Sequence, residues 1–482
     1  METAPIASPV SQRLPRGRLL LLFLVMLTTA AGNTAMQSVM PSIGTSLGVA
    51  DVWISLAYSW SALLWVTMAP YWARKSDQRG RKSMMALGMW GFISSFALCG
   101  GLLWLGLYGY LSALVCLILF AMARGLYGGF GSAAPPAVQA YVASRTARSQ
   151  RTQAMSLIAS SFGLGTVVGP ALAPLLIFPG AGLTGPFLIF AAFGVLTLIA
   201  LRLRLPNDDP TYAARGRVVA APFSASSNPT IRDADDDDDD DDDDNRHGEH
   251  AAKPDPVESH NLAAEAANAP RLRWLDPRLR AWLLAGLVGG HAQAAIMGIS
   301  GFLVLDRLGL RGDPDAGAGP IGIVLMSGAI ATLLAQWGLI PIFKLGPRAT
   351  TIWGMALSMV GTAIIMVAQD LHPIALGFAV ASMGFGLYRP GFTAGMSLAV
   401  RRAEQGQVSG MVASVNGAAY ILAPAIGVYI YNHSDNLAFL LIMGLCATVI
   451  ALGWRMQDDA VLTGEGPVDD DDEEDDEEPY PA

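Results

Sequence analysis

A chain of 482 residues with 52% hydrophobic and 15% charged residues, and a mean hydropathy of +0.41, is too apolar for a water-soluble domain, which needs a polar exterior. The net charge of −9 comes from two acidic tracts, Asp233 with Asp235 to Asp244, and Asp469 to Glu478; with their 21 acids set aside, 19 acids face 31 Lys+Arg and the remaining chain is basic. The three cysteines, Cys99, Cys116 and Cys446, all lie in apolar stretches, which argues against a disulfide or metal framework.

Along the chain, Arg13, Arg16 and Arg18 precede the apolar stretch Leu19–Ala31. This looks like a signal peptide, but it has no convincing cleavage site and many apolar stretches follow, so it reads as an uncleaved first helix. Stretches long enough to cross a bilayer as helices then recur at roughly 19–40, 52–73, 83–104, 112–140, 154–178 and 185–203, and again at roughly 279–305, 318–342, 349–368, 373–399, 408–431 and 437–455. The expectation is an all-α membrane protein with twelve transmembrane helices in two pseudo-symmetric six-helix bundles. Its parts are an N-terminus over 1–18, a first bundle over 19–204, an acidic linker over 205–278, a second bundle over 279–455 and an acidic tail over 456–482. Linker and tail have the composition of disordered, solvated segments.

Loop charge tests this count. With the N-terminus inside, the inner segments hold Arg74, Lys75, Arg79, Arg81 and Lys82, then Arg145, Arg148 and Arg151, Arg202 and Arg204, Lys344 and Arg348, Arg401 and Arg402, and Arg455. The outer loops hold Arg307 and Arg311 as exceptions. Both termini are therefore expected to be cytoplasmic, in the plasma (inner) membrane of the cell.

The two halves echo one another. Ile158-Ala159-Ser160-Ser161-Phe162-Gly163 and Gly169-Pro170-Ala171 correspond to Val412-Ala413-Ser414-Val415-Asn416-Gly417 and Ala423-Pro424-Ala425, at a constant offset of 254. Gly125-Leu126-Tyr127 corresponds to Gly386-Leu387-Tyr388. Equivalent spans share an orientation, which makes this a parallel repeat of the kind transporters show.

The loop between spans 2 and 3 reads Ala73-Arg74-Lys75-Ser76-Asp77-Gln78-Arg79-Gly80-Arg81-Lys82. It resembles the signature of the major facilitator superfamily, with Asp77, Gly80, Arg81 and Lys82 matching and Ala73 in place of the usual first Gly. The resemblance implies a gate. Gly80 allows a tight turn, Asp77 meets a helix N-terminus of the other half, and the basic pair anchors near the headgroups. Gly346-Pro347-Arg348 is a degenerate counterpart without the Asp.

Arg124 with Gly128 and Gly131 is similar to the superfamily's fourth-helix motif, which implies a part in proton coupling; Tyr127 stands where a Gln is usual. Gly163, Gly165, Gly169 and Pro170 resemble the fifth-helix motif of twelve-helix drug:proton antiporters, with Ala173-Pro174 in place of its closing Gly pair. Small residues there let helices approach closely.

Other polar groups within spans are Asn33, Gln37, Gln139, His291, Gln293, Arg389 and Asn416. With Tyr127 and Tyr388 they are candidates for substrate contact, since spans 1, 4, 7 and 10 line the cavity in the superfamily. No Asp or Glu falls in the middle of any span, and an imidazole titrates near neutrality, so His291 joins Arg124 as a candidate for coupling. The expected function is proton-coupled export of a small organic molecule by a monomer in the bilayer. The alternatives are an importer or facilitator of an organic anion, favoured by Arg124 and Arg389, and a transporter-like sensor or scaffold. Nothing resembles a zinc site, a phosphate-binding Gly loop or a hydrolase triad, so no catalysis, metal, cofactor or nucleic acid is expected.

Overall fold

The computed structural model describes residues 15–145, 148–206, 272–343, 345–400 and 404–457. The acidic linker, the acidic tail, Lys344, Arg401 and Arg402 lie outside the described residues.

The first half comprises α1 (Arg16–Ser46), α2 (Asp51–Arg79), α3 (Arg81–Leu107), α4 (Ala113–Gly129), α5 (Ala134–Arg145), α6 (Arg148–Leu172) and α7 (Gly185–Arg204). The second comprises α8 (Arg280–Arg307), α9 (Pro314–Leu334), α10 (Ile340–Phe343), α11 (Pro347–Val367), α12 (Leu371–Leu398), α13 (Gln405–His433) and α14 (Asp435–Gly453). Two spans are compound. A 3-10 turn, Gly131–Ala133, joins α4 to α5, and a π turn, Ala335–Leu339, joins α9 to α10. Twelve spans result, six in each half, and the chain is a multi-pass membrane protein.

Helices are what hydrocarbon demands, because they satisfy every backbone N–H and C=O within the segment. Eleven spans among the described residues are long and apolar enough to cross a bilayer. The twelfth, α6, has the length but starts on the polar run Arg148-Ser149-Gln150-Arg151. The faces turned away from the bundles are apolar, as with Leu114, Ile118 and Met122 on α4 and Leu196 and Ile199 on α7. On a water-soluble protein such faces would aggregate; here they suit lipid.

The α4–α5 break has a packing cause. A side chain on Gly88 or Gly91 of α3 would collide with the backbone of Ala134 or Gly131, at 2.6 and 2.7 Å, so α3 lies directly on the broken turn. The carbonyl of Gly129, freed by the break, accepts from Trp72 Nε1 at 2.6 Å and from Ser132 Oγ at 3.0 Å.

Each half forms its own bundle, and the halves meet along α2 with α13, α6 with α9, and α1 with α8 and α9. The chain reaches one end of the molecule between α1 and α2 (the Asp51 end) and the other between α2 and α3 (the Gly80 end). Near the Asp51 end the seam is shut: a Cβ on Gly301 of α8 would lie 2.3 Å from the ring of Pro41 on α1.

Candidate functional site

The turn between α2 and α3 is one residue, Gly80, at φ +85°, where an L side chain would be strained. Arg81 is buried and its Nη1 donates to the carbonyl of Ala140 in α5. Lys82 Nζ donates to the carbonyls of Arg202, at 3.0 Å, and Leu205 at the C-terminus of α7. The basic pair is thus held by protein carbonyls. The unpaired carbonyls ending a helix carry partial negative charge and suit a cation. The second half repeats the device: Arg348 Nε donates to Gly453 O at the end of α14, at 2.9 Å. Asp77 lies in the last turn of α2, but its side chain, with those of Arg74 and Gln78, falls outside the described residues.

Arg124 occupies the middle of the first bundle and is wholly buried. Its Nη2 donates to Asn33 Oδ1 of α1. Its guanidinium lies 4.5 Å from the ring of Tyr127 and 6.0 Å from those of Tyr58 and Phe96. Its Nε and Nη1 have no hydrogen-bond partner, and no described carboxylate pairs with it. Arg124, Asn33 and Tyr127 are therefore brought together inside the first bundle. Tyr58, Phe96 and Ser61, whose Oγ donates to Arg124 O at 3.2 Å, complete the setting. No pattern in the sequence singles them out.

α6 lies backbone to backbone on α1. A Cβ on Gly169 would sit 2.2 Å from Thr34 Oγ1 and 2.3 Å from Ala31 O; one on Gly165 would sit 2.6 Å from Ala30 Cβ. Thr34 Oγ1 donates to Gly165 O at 3.2 Å, joining the two helices. Pro170 and Gly163 face the other half: a Cβ on Gly322 of α9 would lie 2.7 Å from Pro170 O, and one on Gly163 would lie 2.7 Å from Leu333.

In the second half, Tyr388 is buried and its hydroxyl donates to the carbonyls of Ala285, at 3.0 Å, and Gly286, at 2.8 Å, in α8. That hydroxyl is committed to joining α12 to α8. Arg389 is buried beside Tyr388, with Nη1 unpartnered. Tyr420 packs with Ala294 and Ala423 against Ala62 of α2. Gln139 of α5 is buried, at 3% exposure. His291 is half-buried, with Nδ1 2.7 Å from Leu287 O of its own helix.

The remaining candidates behave differently. Between Thr28 and Gly44 every residue of α1 is buried except Gln37, one turn from the Pro41 that meets Gly301. Gln293 is half-buried on α8, about two turns from Gly301. Asn416 is half-buried on α13, away from the exposed Ser414, Leu422 and Tyr429. No hydrogen bond to a described residue occupies these three amides. They are neutral, and they come from the helices that meet across the seam.

Two six-helix bundles, a one-residue turn after span 2, and unoccupied polar groups where the bundles meet define a membrane transporter. The chain belongs to the Major Facilitator Superfamily, whose family model matches residues 21–343 and 337–475. It is similar to a Streptomyces coelicolor protein named "Probable actinorhodin transporter", 25% identical over 420 residues, 82% of this chain and 68% of that one. It is also similar to a Lactococcus lactis protein named "Multi-drug resistance efflux pump PmrA homolog", 28% identical over 183 residues, 37% of this chain and 40% of that one. In fold it is similar to an inward-facing, unoccupied bacterial homolog of the human lysosomal transporter Spinster, with TM-score 0.62 and 13% identity over 94% of this chain and 97% of the other.

Proposed function

We propose that this transporter exports a small organic molecule by alternating access and that inward proton flow drives it. Export is supported by the α1–α6 contact. Gly165 and Gly169, in the segment that resembles the antiporter motif, lie directly on the backbone of α1, as that motif requires. The relative named as an efflux pump agrees with this direction.

Gln37, Gln293 and Asn416 are the substrate contacts in this reading, beneath the seal of Pro41 on Gly301. Amides both donate and accept, so they suit a molecule with carbonyl and hydroxyl groups and no obligatory charge. His291 carries the coupled proton, its Nδ1 bound to Leu287 O and its Nε2 left for exchange. The protein works as a monomer in the plasma membrane, with both termini cytoplasmic and the Asp77–Lys82 turn as its inner gate.

A second reading is transport of an organic anion. It is favoured by the buried donors of Arg124 and Arg389 that have neither partner nor counter-charge.

Reconstitution of the full chain into liposomes with an imposed pH gradient tests both. Export predicts that substrate additions dissipate the gradient. Uptake only down the substrate's own gradient, with no proton movement, refutes it. Competition by anions alone selects the second reading. Movement of no compound across a broad panel leaves a sensor or scaffold. For His291→Gln, transport that kept its full proton dependence removes the coupling role.

A further inference from the structure

Arg307 and Arg311 break the loop-charge pattern, being basic residues at the Asp51 end, and the fold gives each a carboxylate. Arg307 Nη2 pairs with Asp435 Oδ2 at 2.8 Å, within the second half. Arg311 is different. It lies in the turn between α8 and α9, and its guanidinium serves both halves at once. Nη1 and Nη2 donate to the two oxygens of Asp51, the first residue of α2, at 2.9 and 2.8 Å; Nη1 also reaches Thr45 Oγ1 of α1 at 3.3 Å. Nε and Nη2 donate to the two oxygens of Asp306 in its own half, at 2.6 and 3.1 Å. Tyr431 of α13 donates to Asp306 Oδ2 at 3.0 Å.

We propose that Arg311 is a two-partner latch that holds the Asp51 end shut: Asp51 is its partner across the seam, and Asp306 is the partner that keeps it paired when the halves separate. The two carboxylates have unequal surroundings. The Asp51 side chain is 7% exposed, and that of Asp306 is 35% exposed. A nearly buried carboxylate depends on its counter-ion, so the pair across the seam favours closure. Opening breaks the contacts to Asp51 and Thr45 and leaves those to Asp306. Arg311 is then still neutralised, and Asp51 re-enters water at the N-terminus of α2, where the helix dipole favours an anion. Both states keep every charge paired or hydrated, as a low-barrier switch requires. The other charged or titratable groups at this end are Arg307 with Asp435, Asp313 and Asp315 at the start of α9, Asp370 and His372 at the start of α12, and His433 at the end of α13. None of them is paired with Arg311 or Asp51.

The two acids therefore act in opposite directions on one guanidinium. Loss of Asp51 frees the seam. Loss of Asp306 gives Arg311 wholly to Asp51 and tightens it. The proposal rests on alternating access, that is, on the halves parting. Its test needs neither substrate nor proton gradient, so an error in the substrate or the coupling assignment leaves it standing.

Ser42 of α1 supplies the probe. It is wholly buried at the seam beside Gly317 of α9, and its hydroxyl has no partner, so Ser42→Cys is a conservative change. In the purified full chain, modification of this thiol by an impermeant reagent requires the Asp51 end to open, and its rate reports small open populations. Asp51→Asn and Arg311→Gln should each raise the rate about tenfold, the loss of about 1.4 kcal/mol for a partly screened pair. Asp306→Asn should lower it severalfold. A misfolded chain would label faster and would expose Cys99 and Cys116, which are buried in the first bundle, so their silence certifies each variant. An unchanged rate in Asp51→Asn overturns the latch. A rate in Asp306→Asn that is unchanged or raised overturns the second-partner role.

Discussion

Arg124 donates to the side-chain oxygen of Asn33, joining α4 to α1 in the centre of the first bundle with no described carboxylate paired to the guanidinium. A buried cation satisfied by one amide and three aromatic faces is stabilised only in part. Asn33→Asp supplies the missing charge and should raise the thermal midpoint of the detergent-solubilised chain. Asn33→Leu strips the last hydrogen bond and should lower stability by about 3 kcal/mol, the order found when a buried charge loses its partner. Thermal unfolding followed by tryptophan emission reads both; a destabilised Asn33→Asp chain refutes the account.

Gly169 and Gly101 give a matched comparison. A Cβ at Gly169 strikes Ala31 O and Thr34 Oγ1, whereas one at Gly101 meets nothing within 4 Å. Gly169→Ala should push α6 off α1, cost about 1–3 kcal/mol by overpacking and reduce turnover by at least tenfold. Gly101→Ala should leave both unchanged. Turnover in liposomes and thermal midpoints, measured in parallel, check the pair.

Gln37 and Gln293 make no hydrogen bond within the described protein. Their replacement by Leu should therefore spare stability and raise the KM for an identified substrate about tenfold each, the worth of one buried hydrogen bond at about 1.4 kcal/mol. A fall in thermal midpoint with KM unchanged would assign them to packing instead.

Lys82 and Arg348 hold the ends of α7 and α14 in the same manner. Lys82→Met and Arg348→Met should each cost about 1 kcal/mol, since a cation is withdrawn from the carbonyls that end a helix. Hydrogen exchange should then rise in the last turns of those helices and not at their other ends. Uniform exchange along α7 in Lys82→Met would contradict this.

Gly80 at φ +85° closes the turn from α2 to α3. Gly80→Ala should destabilise the chain by about 1–2 kcal/mol, because an L side chain pays for the left-handed half of backbone space. A thermal midpoint equal to that of the parent chain would show that the turn relaxes.

Span number, the division into two halves and the turn at Gly80 were all legible in the sequence. Each depends on a property of consecutive residues: apolar length, loop charge, or a glycine beside a basic pair. The breaks in spans 4 and 8 were less legible. The pressure that bends α4 at Gly129 comes from Gly88 and Gly91 of another helix. Polar residues within spans were legible in the sequence, but the partners of their side chains were not. Asn33, Tyr388 and Gln37 look alike in an apolar helix, yet the first is spent on Arg124, the second on the α8 carbonyls, and the third faces the seam unoccupied.

The sequence by itself thus determined that this is a twelve-span, two-bundle member of the Major Facilitator Superfamily, because hydrocarbon allows long apolar segments only one regular solution, the helix. Which polar side chains face one another was decided by tertiary structure alone. Helices apolar on every side carry no amphipathic stripe to reveal their facing. The pairing of Arg311 with an aspartate 260 residues earlier in the chain is set by where two bundles happen to meet.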